Sequence, residues 1–238
     1  MTVPMVALGS GAAVVACGDV PTGGVAALTA EGWFRVLAIS AANRPLLSKY
    51  GTGHEWALYI TRDGRVYFVV WSASGTNAAY SAVGVLPYNR LTHLAGCYDG
   101  SHCKVLVNGE DVTATSRLVG GVVADTAEVV RIGGYIGEVG YGFIGRVGWQ
   151  RISDVCRYPA APAGPELPPA VDGNTLALWQ VDEGSGSTLD NAEGTAAYDG
   201  TITAGTWVVS QTNEKSRAQP VLAAGFGRRL ALGARWGT

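Results

Sequence analysis

Charged side chains are scarce. Asp, Glu, Lys and Arg make up 15% of the 238 residues, against about a quarter in an ordinary soluble domain. Long solvated helices need more charge than this. The chain is therefore expected to fold as many short strands joined by tight turns, which its 34 glycines also favour. The net charge is only -2, so no global field draws the protein to nucleic acid or to an anionic membrane surface. No apolar run reaches the roughly 18–20 residues of a membrane helix. The apolar start, MTVPMVALGSGAAVVACGDV, has no Lys or Arg, whereas a secretory signal carries a basic leading region. Its Val14-Val15-Ala16-Cys17 resembles a lipoprotein cleavage box but reads better as a first β-strand. Four cysteines are too few for a disulfide scaffold, and with no CxxC they leave the compartment open. HExxH, GxSxG and a phosphate-cradling loop are absent.

What is present is a rhythm of turns. Asp63-Gly64, Asp99-Gly100, Asn108-Gly109 and Asp199-Gly200 each sit beside runs rich in Val, Ile, Tyr and Trp, and such pairs are strong hairpin signals. The runs predict strands over 32–38, 55–61, 65–71, 91–98, 103–107, 128–132, 142–152, 176–181 and 206–210. No long amphipathic helix appears before residue 215. The fold class is all-β, a two-sheet antiparallel sandwich or jelly roll. Pro159–Pro169 cannot be a central strand, because proline lacks the ladder donor. It is expected to be an extended connector. The tail from Glu214 carries Lys215, Arg217, Arg228, Arg229 and Arg235 against one acid. Two readings stand for it, a packed terminal arm and a docking peptide for a partner or neighbouring subunit.

The stretch RLTHLAGCYDGSHCKVLVNGE, residues 90–110, gathers His93, Cys97, His102 and Cys103, all competent zinc ligands. Strand side chains alternate between faces, so consecutive His102 and Cys103 diverge, and at most three of the four converge. A Cys97–Cys103 bridge needs an Asp99-Gly100-Ser101 loop that sets them opposite. Free, strand-packed cysteines are the preferred alternative.

The same stretch resembles the laminin-G-like jelly roll of the concanavalin A-like lectin/glucanase superfamily, with its "W-x-H-V-A-x-x-Y-D-G" strand and following "L-Y-V-N-G". Here these are Thr92-His93-Leu94-Ala95, Tyr98-Asp99-Gly100 and Val105-Leu106-Val107-Asn108-Gly109. Glu31-Gly32-Trp33-Phe34-Arg35 is similar to "T-I-E-A-W-V". Arg131-Ile132-Gly133-Gly134 with Phe143-Ile144-Gly145-Arg146-Val147 is similar to "I-G…F-x-G-x-I-D-E". The segment 176–186, with Asp199-Gly200 and Trp207-Val208, resembles "L-W-x-F-D-E-G-S-G…N-D-G-T…W-V". The resemblance implies a jelly roll over residues 1–213, the Pro-rich connector at 159–169, closing strands within 174–210 and a basic arm at 214–238. The D-E-G-S-G segment often opens such domains and here comes last, as in a circular permutation. It also makes His93 a fold residue. Relatives often bind calcium, which is possible here through loop acids such as Asp19, Asp190 and Asp199, although no Asp-rich loop is present; no other cofactor is implied. The hydrolases of this fold use "E-x-D-x-x-E", and no Glu of this chain is followed two residues later by Asp. Glu110-Asp111 and Asp182-Glu183 are adjacent and would point to opposite faces, so no pair of carboxylates is set up for glycoside hydrolysis.

A recognition surface is more legible. With a three-residue loop Arg62-Asp63-Gly64, Ile60 pairs with Val66, Leu58 with Phe68 and Trp56 with Val70, giving one apolar core face. The opposite face then carries Tyr59, Tyr67 and Trp71, with Arg65 at its rim, suited to stacking on sugar rings or to an interface. The assignment depends on register. The expected function is non-enzymatic recognition or display. Its setting resembles the jelly-roll proteins that decorate phage capsids and tails. The expected partners are other virion or surface-assembly proteins, a homo-oligomer and glycans, the arm (Arg217, Arg228, Arg229, Arg235) anchoring the assembly. A secreted or cell-surface lectin or adhesin module is the alternative, and the localisation is a virion surface or extracellular.

Overall fold

The computed structural model describes residues 2–9, 12–39, 42–134, 141–158 and 169–211. Its strands are β1 (Thr2–Leu8), β2 (Val14–Cys17), β3 (Leu28–Val36), β4 (Arg44–Tyr50), β5 (His54–Ile60), β6 (Val66–Ser72), β7 (Gly75–Ser81), β8 (Leu91–Tyr98) and β9 (Cys103–Val107). There follow β10 (Glu110–Asp111), β11 (Thr113–Arg117), β12 (Val130–Ile132), β13 (Gly145–Ser153), β14 (Thr175–Trp179), β15 (Thr188–Leu189), β16 (Gly200–Thr203) and β17 (Thr206–Gln211). Among the described residues no helix is long and apolar enough to cross a membrane.

The strands form two antiparallel sheets, as a jelly-roll sandwich requires. The first runs β10-β9-β8-β3-β13-β1-β17, with β14 also paired to β13. The second runs β11-β7-β6-β5-β4-β12-β2-β16-β15. The last strands complete both sheets beside the first ones. β17 pairs with β1 through Val6 and Trp207, and β16 pairs with β2 through Val15 and Ile202. Between the sheets lies one apolar core that includes Phe34, Trp56, Leu58, Phe68, Leu94, Val105 and Trp179. Each such side chain contributes about 1.5–3 kcal/mol by leaving water.

Three of the four predicted turns close hairpins. Gly64, Gly100 and Gly109 all take positive φ, and Asn108 joins Gly109 there, as a two-residue hairpin turn with inverted twist demands. Asp199-Gly200 does not. It leads out of a 3-10 turn at Ala196–Tyr198 into β16. The D-E-G-S-G and D-G residues instead brace the closing strands. Glu183 accepts from the Asp190 amide at 2.7 Å, Asp199 from the Asn191 amide at 2.8 Å, and the Trp207 indole donates to the Gly186 carbonyl at 2.8 Å.

The β8–β9 turn is one residue longer than a bridge between its own cysteines needs. Tyr98 pairs with Cys103 and Cys97 with Lys104, so Cys97 and Cys103 face opposite sides. Cys97 forms a disulfide with Cys156, while Cys17 and Cys103 are free and buried. Burial pushes both free thiols up, so they stay protonated and packed. All of the 159–169 connector but its last residue, and the arm at 214–238 with Arg217, Arg228, Arg229 and Arg235, lie outside the described residues.

Candidate functional site

The β5–β6 hairpin has the register its sequence predicts. Trp56 faces Val70, Leu58 faces Phe68 and Ile60 faces Val66, and all six are in the core. The loop closes through a Gly64 amide donating to the Thr61 carbonyl at 2.9 Å and a Thr61 amide donating to the Arg65 carbonyl at 3.0 Å. Alternation then sends Tyr59, Tyr67 and Trp71 to the outer face of the second sheet.

There they join residues from neighbouring strands. A cross-strand row sets Tyr59 beside Tyr67 and Tyr67 beside Tyr80 of β7. Tyr59 meets Tyr67 edge-on at 4.5 Å, and Tyr67 stacks on Tyr80 at 3.9 Å. Four residues further along β6, about 13 Å away, Trp71 meets Tyr50 of β4 at 5.3 Å and His54 of β5 at 5.2 Å. Between the two groups runs a row of smaller side chains, Ala57, Val69 and Ala78, all nearly buried beneath the rings. Low residues there let the aromatic rings lie over the sheet. Tyr50, Tyr59, Trp71 and Tyr80 are half-exposed and His54 is exposed.

Tyr67 differs from its neighbours. It is only 7% exposed, and burial, with the hydroxyls of Tyr80 and Tyr59 beside it, pushes its own hydroxyl up. It therefore sits wedged between Tyr59 and Tyr80 and presents little of itself. Arg65 is tied into the turn, its Nε donating to Asp63 Oδ2 at 2.8 Å. The sequence reading missed Tyr50, His54 and Tyr80. Tyr80 lies in GTNAAYS and Tyr50 in RPLLSKY, runs that carry little β-branched signal.

The zinc grouping at 93–103 does not assemble. His93 Nε2 lies 2.8 Å from Glu31 Oε2, buried on the outer face of the first sheet, while His102 is exposed near Asp99. Glu31 also accepts from Tyr158 Oη at 2.6 Å and from Arg151 Nε at 2.8 Å. Burial alone would raise its carboxyl. The His93 contact and the Arg151 charge outweigh that and hold it at about 2. This saturated carboxylate braces β3, β8 and β13.

Calcium through the loop acids also lacks a home. Asp19 is engaged by Lys49 Nζ at 2.6 Å, and Asp199 is spent on the Asn191 amide. Among the described residues no three His, Cys, Asp or Glu side chains are grouped to hold a metal ion. Asp19 and Asp199 are thus already engaged, and these two loop acids do not fit the group that the resemblance implies.

A laminin-G-like family model, described as the concanavalin A-like lectin/glucanases superfamily, matches residues 9–160. The chain belongs to this family. Its strands over that span are those of this concanavalin A-like domain, and β14–β17 close the same two sheets. No curated protein gives a significant sequence match. Among solved structures, a candidate carbohydrate binding protein from Bacteroides ovatus superposes with a TM-score of 0.65 at 18% identity, over 87% of this chain and 59% of that one. The chain thus spans under two thirds of that protein. The CBM40 of a Ruminococcus gnavus IT-sialidase, bound to alpha2,3 sialyllactose, gives 0.50 at 15% identity, over 66% of this chain and 92% of that one. Mouse laminin alpha1 domains LG4-5 give 0.49 at 21%, over 68% and 47%. At these identities the likeness is one of fold.

Proposed function

We propose that this domain is a non-enzymatic glycan-recognition module whose ligand stacks on the outer face of β4–β7. The observation that carries the reading is the set of half-exposed rings, Tyr50, Tyr59, Trp71 and Tyr80, laid over a row of small residues on one sheet face. Flat ring faces with polar tips bind sugars by apolar contact and hydroxyl hydrogen bonding together. The carbohydrate-binding names of two structural neighbours accord with this but supply only the fold. Trp71 and Tyr59 make the stacking contacts, Tyr67 supports Tyr59, and Arg65 borders the Tyr59 end.

The setting we propose is display on a surface, virion or extracellular, with assembly partners held by the basic arm. The Cys97–Cys156 disulfide supports maturation in an oxidising compartment. The test is a glycan array on the wild type, Trp71→Ala and Tyr59→Ala. The wild type is expected to bind a defined set, and each variant to lose about tenfold or more in affinity while staying folded. Unchanged binding in both variants would overturn the assignment of the face.

A further inference from the structure

We propose that the Lys49 ammonium takes the place of a bound divalent cation at the Trp71 end of the sheet, so that recognition there needs no metal. Where it concerns recognition, the inference rests on the glycan-binding reading; where it concerns the cation, it does not.

Lys49 is on β4, and its side chain is 1% exposed. A buried ammonium is stable only when charge and hydrogen bonds compensate it. Here Nζ lies 2.6 Å from Asp19 Oδ1, 2.8 Å from Glu55 Oε1 and 2.9 Å from the Val20 carbonyl. Its three donors meet three oxygens. Two carboxylates and a backbone carbonyl are the kind of oxygens a hard cation such as calcium takes at about 2.3–2.6 Å, with water completing its shell of about six to eight.

The cage is itself held from outside. Glu55 Oε1 accepts from the amide and the hydroxyl of Thr126, both at 2.8 Å. Glu55 Oε2 accepts from the Thr22 hydroxyl, which in turn accepts from the Trp56 indole at 3.0 Å. The oxygens are thus held by three segments, β5, the loop after β2 and the chain at Thr126, and β4 brings the ammonium to them. Lys49 supplies the positive charge against both carboxylates, the buried Glu55 and the half-exposed Asp19.

That centre shares its strands with the aromatic group: Lys49 pairs with the core residue Trp56, while Tyr50 belongs to the outer-face cluster. Tyr50 follows Lys49 in the chain and His54 precedes Glu55, and the two rings lie 4.5 Å apart. The Ala124 amide donates to the Trp71 carbonyl at 2.8 Å, two residues before Thr126 binds Glu55. A cation here ties together β4 and β5, the strands that carry Tyr50 and His54. Because it is covalent, chelators cannot remove it.

The experiment compares thermal unfolding of the wild type, Lys49→Ala and Lys49→Ala/Asp19→Asn, in chelator and in millimolar calcium. The wild-type Tm should be the same in both, within about 1 °C. Lys49→Ala should melt lower in chelator and regain about 5 °C or more in calcium. Adding Asp19→Asn should abolish that gain. A wild-type Tm that rises with calcium would overturn the proposal, as would a Lys49→Ala protein that ignores calcium, whether folded or unfolded. These readouts need no sugar, so a domain that binds no glycan would leave the cation result standing.

Discussion

Glu31 shows how one residue can look like chemistry and serve structure. It is a buried acid beside a histidine, a tyrosine and an arginine, yet both its oxygens are taken. Its carboxyl sits at about 2 in the fold against 4.5 for the free group. A depressed folded value means that the stabilisation is complete above about 4.5 and is lost as pH falls toward 2. It amounts to about 3 kcal/mol. Glu31→Gln should cost about 3 kcal/mol at neutral pH, because it leaves the Arg151 charge uncompensated. It should also flatten the acid limb of stability, read from urea midpoints between pH 5 and 2. An unchanged acid limb would contradict the role given to Glu31. The pairing of His93 with Glu31 was not legible in sequence, since the two lie 62 residues apart. What the sequence carried was their membership of two family-like strands.

At the scale of elements, hairpins with strong local signals were readable, and strands of weak β signal were not, whether inside a sheet or at its edge. The β5–β6 register followed from a loop length and a glycine, so the core face and the outer aromatic face came out together. β1, β4, β7 and β11 were missed, as were the short β10, β15 and β16. β4 contains Pro45, tolerated because pairing with β5 is irregular between Pro45 and Leu47. β11 is a polar, exposed edge, TATSR. The Cys97–Cys156 bond was missed because it joins β8 to the loop after β13, which no spacing rule connects. The approach of the sheets was equally silent. Gly96 of β8 faces the Phe68 side chain of β6, and a Cβ there would clash with its ring carbons. Gly96→Ala should cost about 2 kcal/mol or more by overpacking, and Gly96→Ala/Phe68→Leu should recover part of it in denaturant melts. Equal losses in the single and double variants would show that the two do not share the contact.

For the whole molecule, the two sheets differ in what they leave open. The outer face of the first sheet buries its large side chains, Trp33, His93, Trp149 and Leu178 among them. The outer face of the second keeps a half-exposed aromatic surface around buried small residues. This asymmetry turns a common sandwich into a candidate receptor with one receptive side. The most direct test is a backbone amide NMR titration of the wild type with the best glycan from the array. The account predicts shift changes concentrated in residues 50–59, 67–71 and 78–80, with β8, β13 and β14 unmoved. Changes confined to the first sheet or to the loops around Asp182–Asp190 would contradict it.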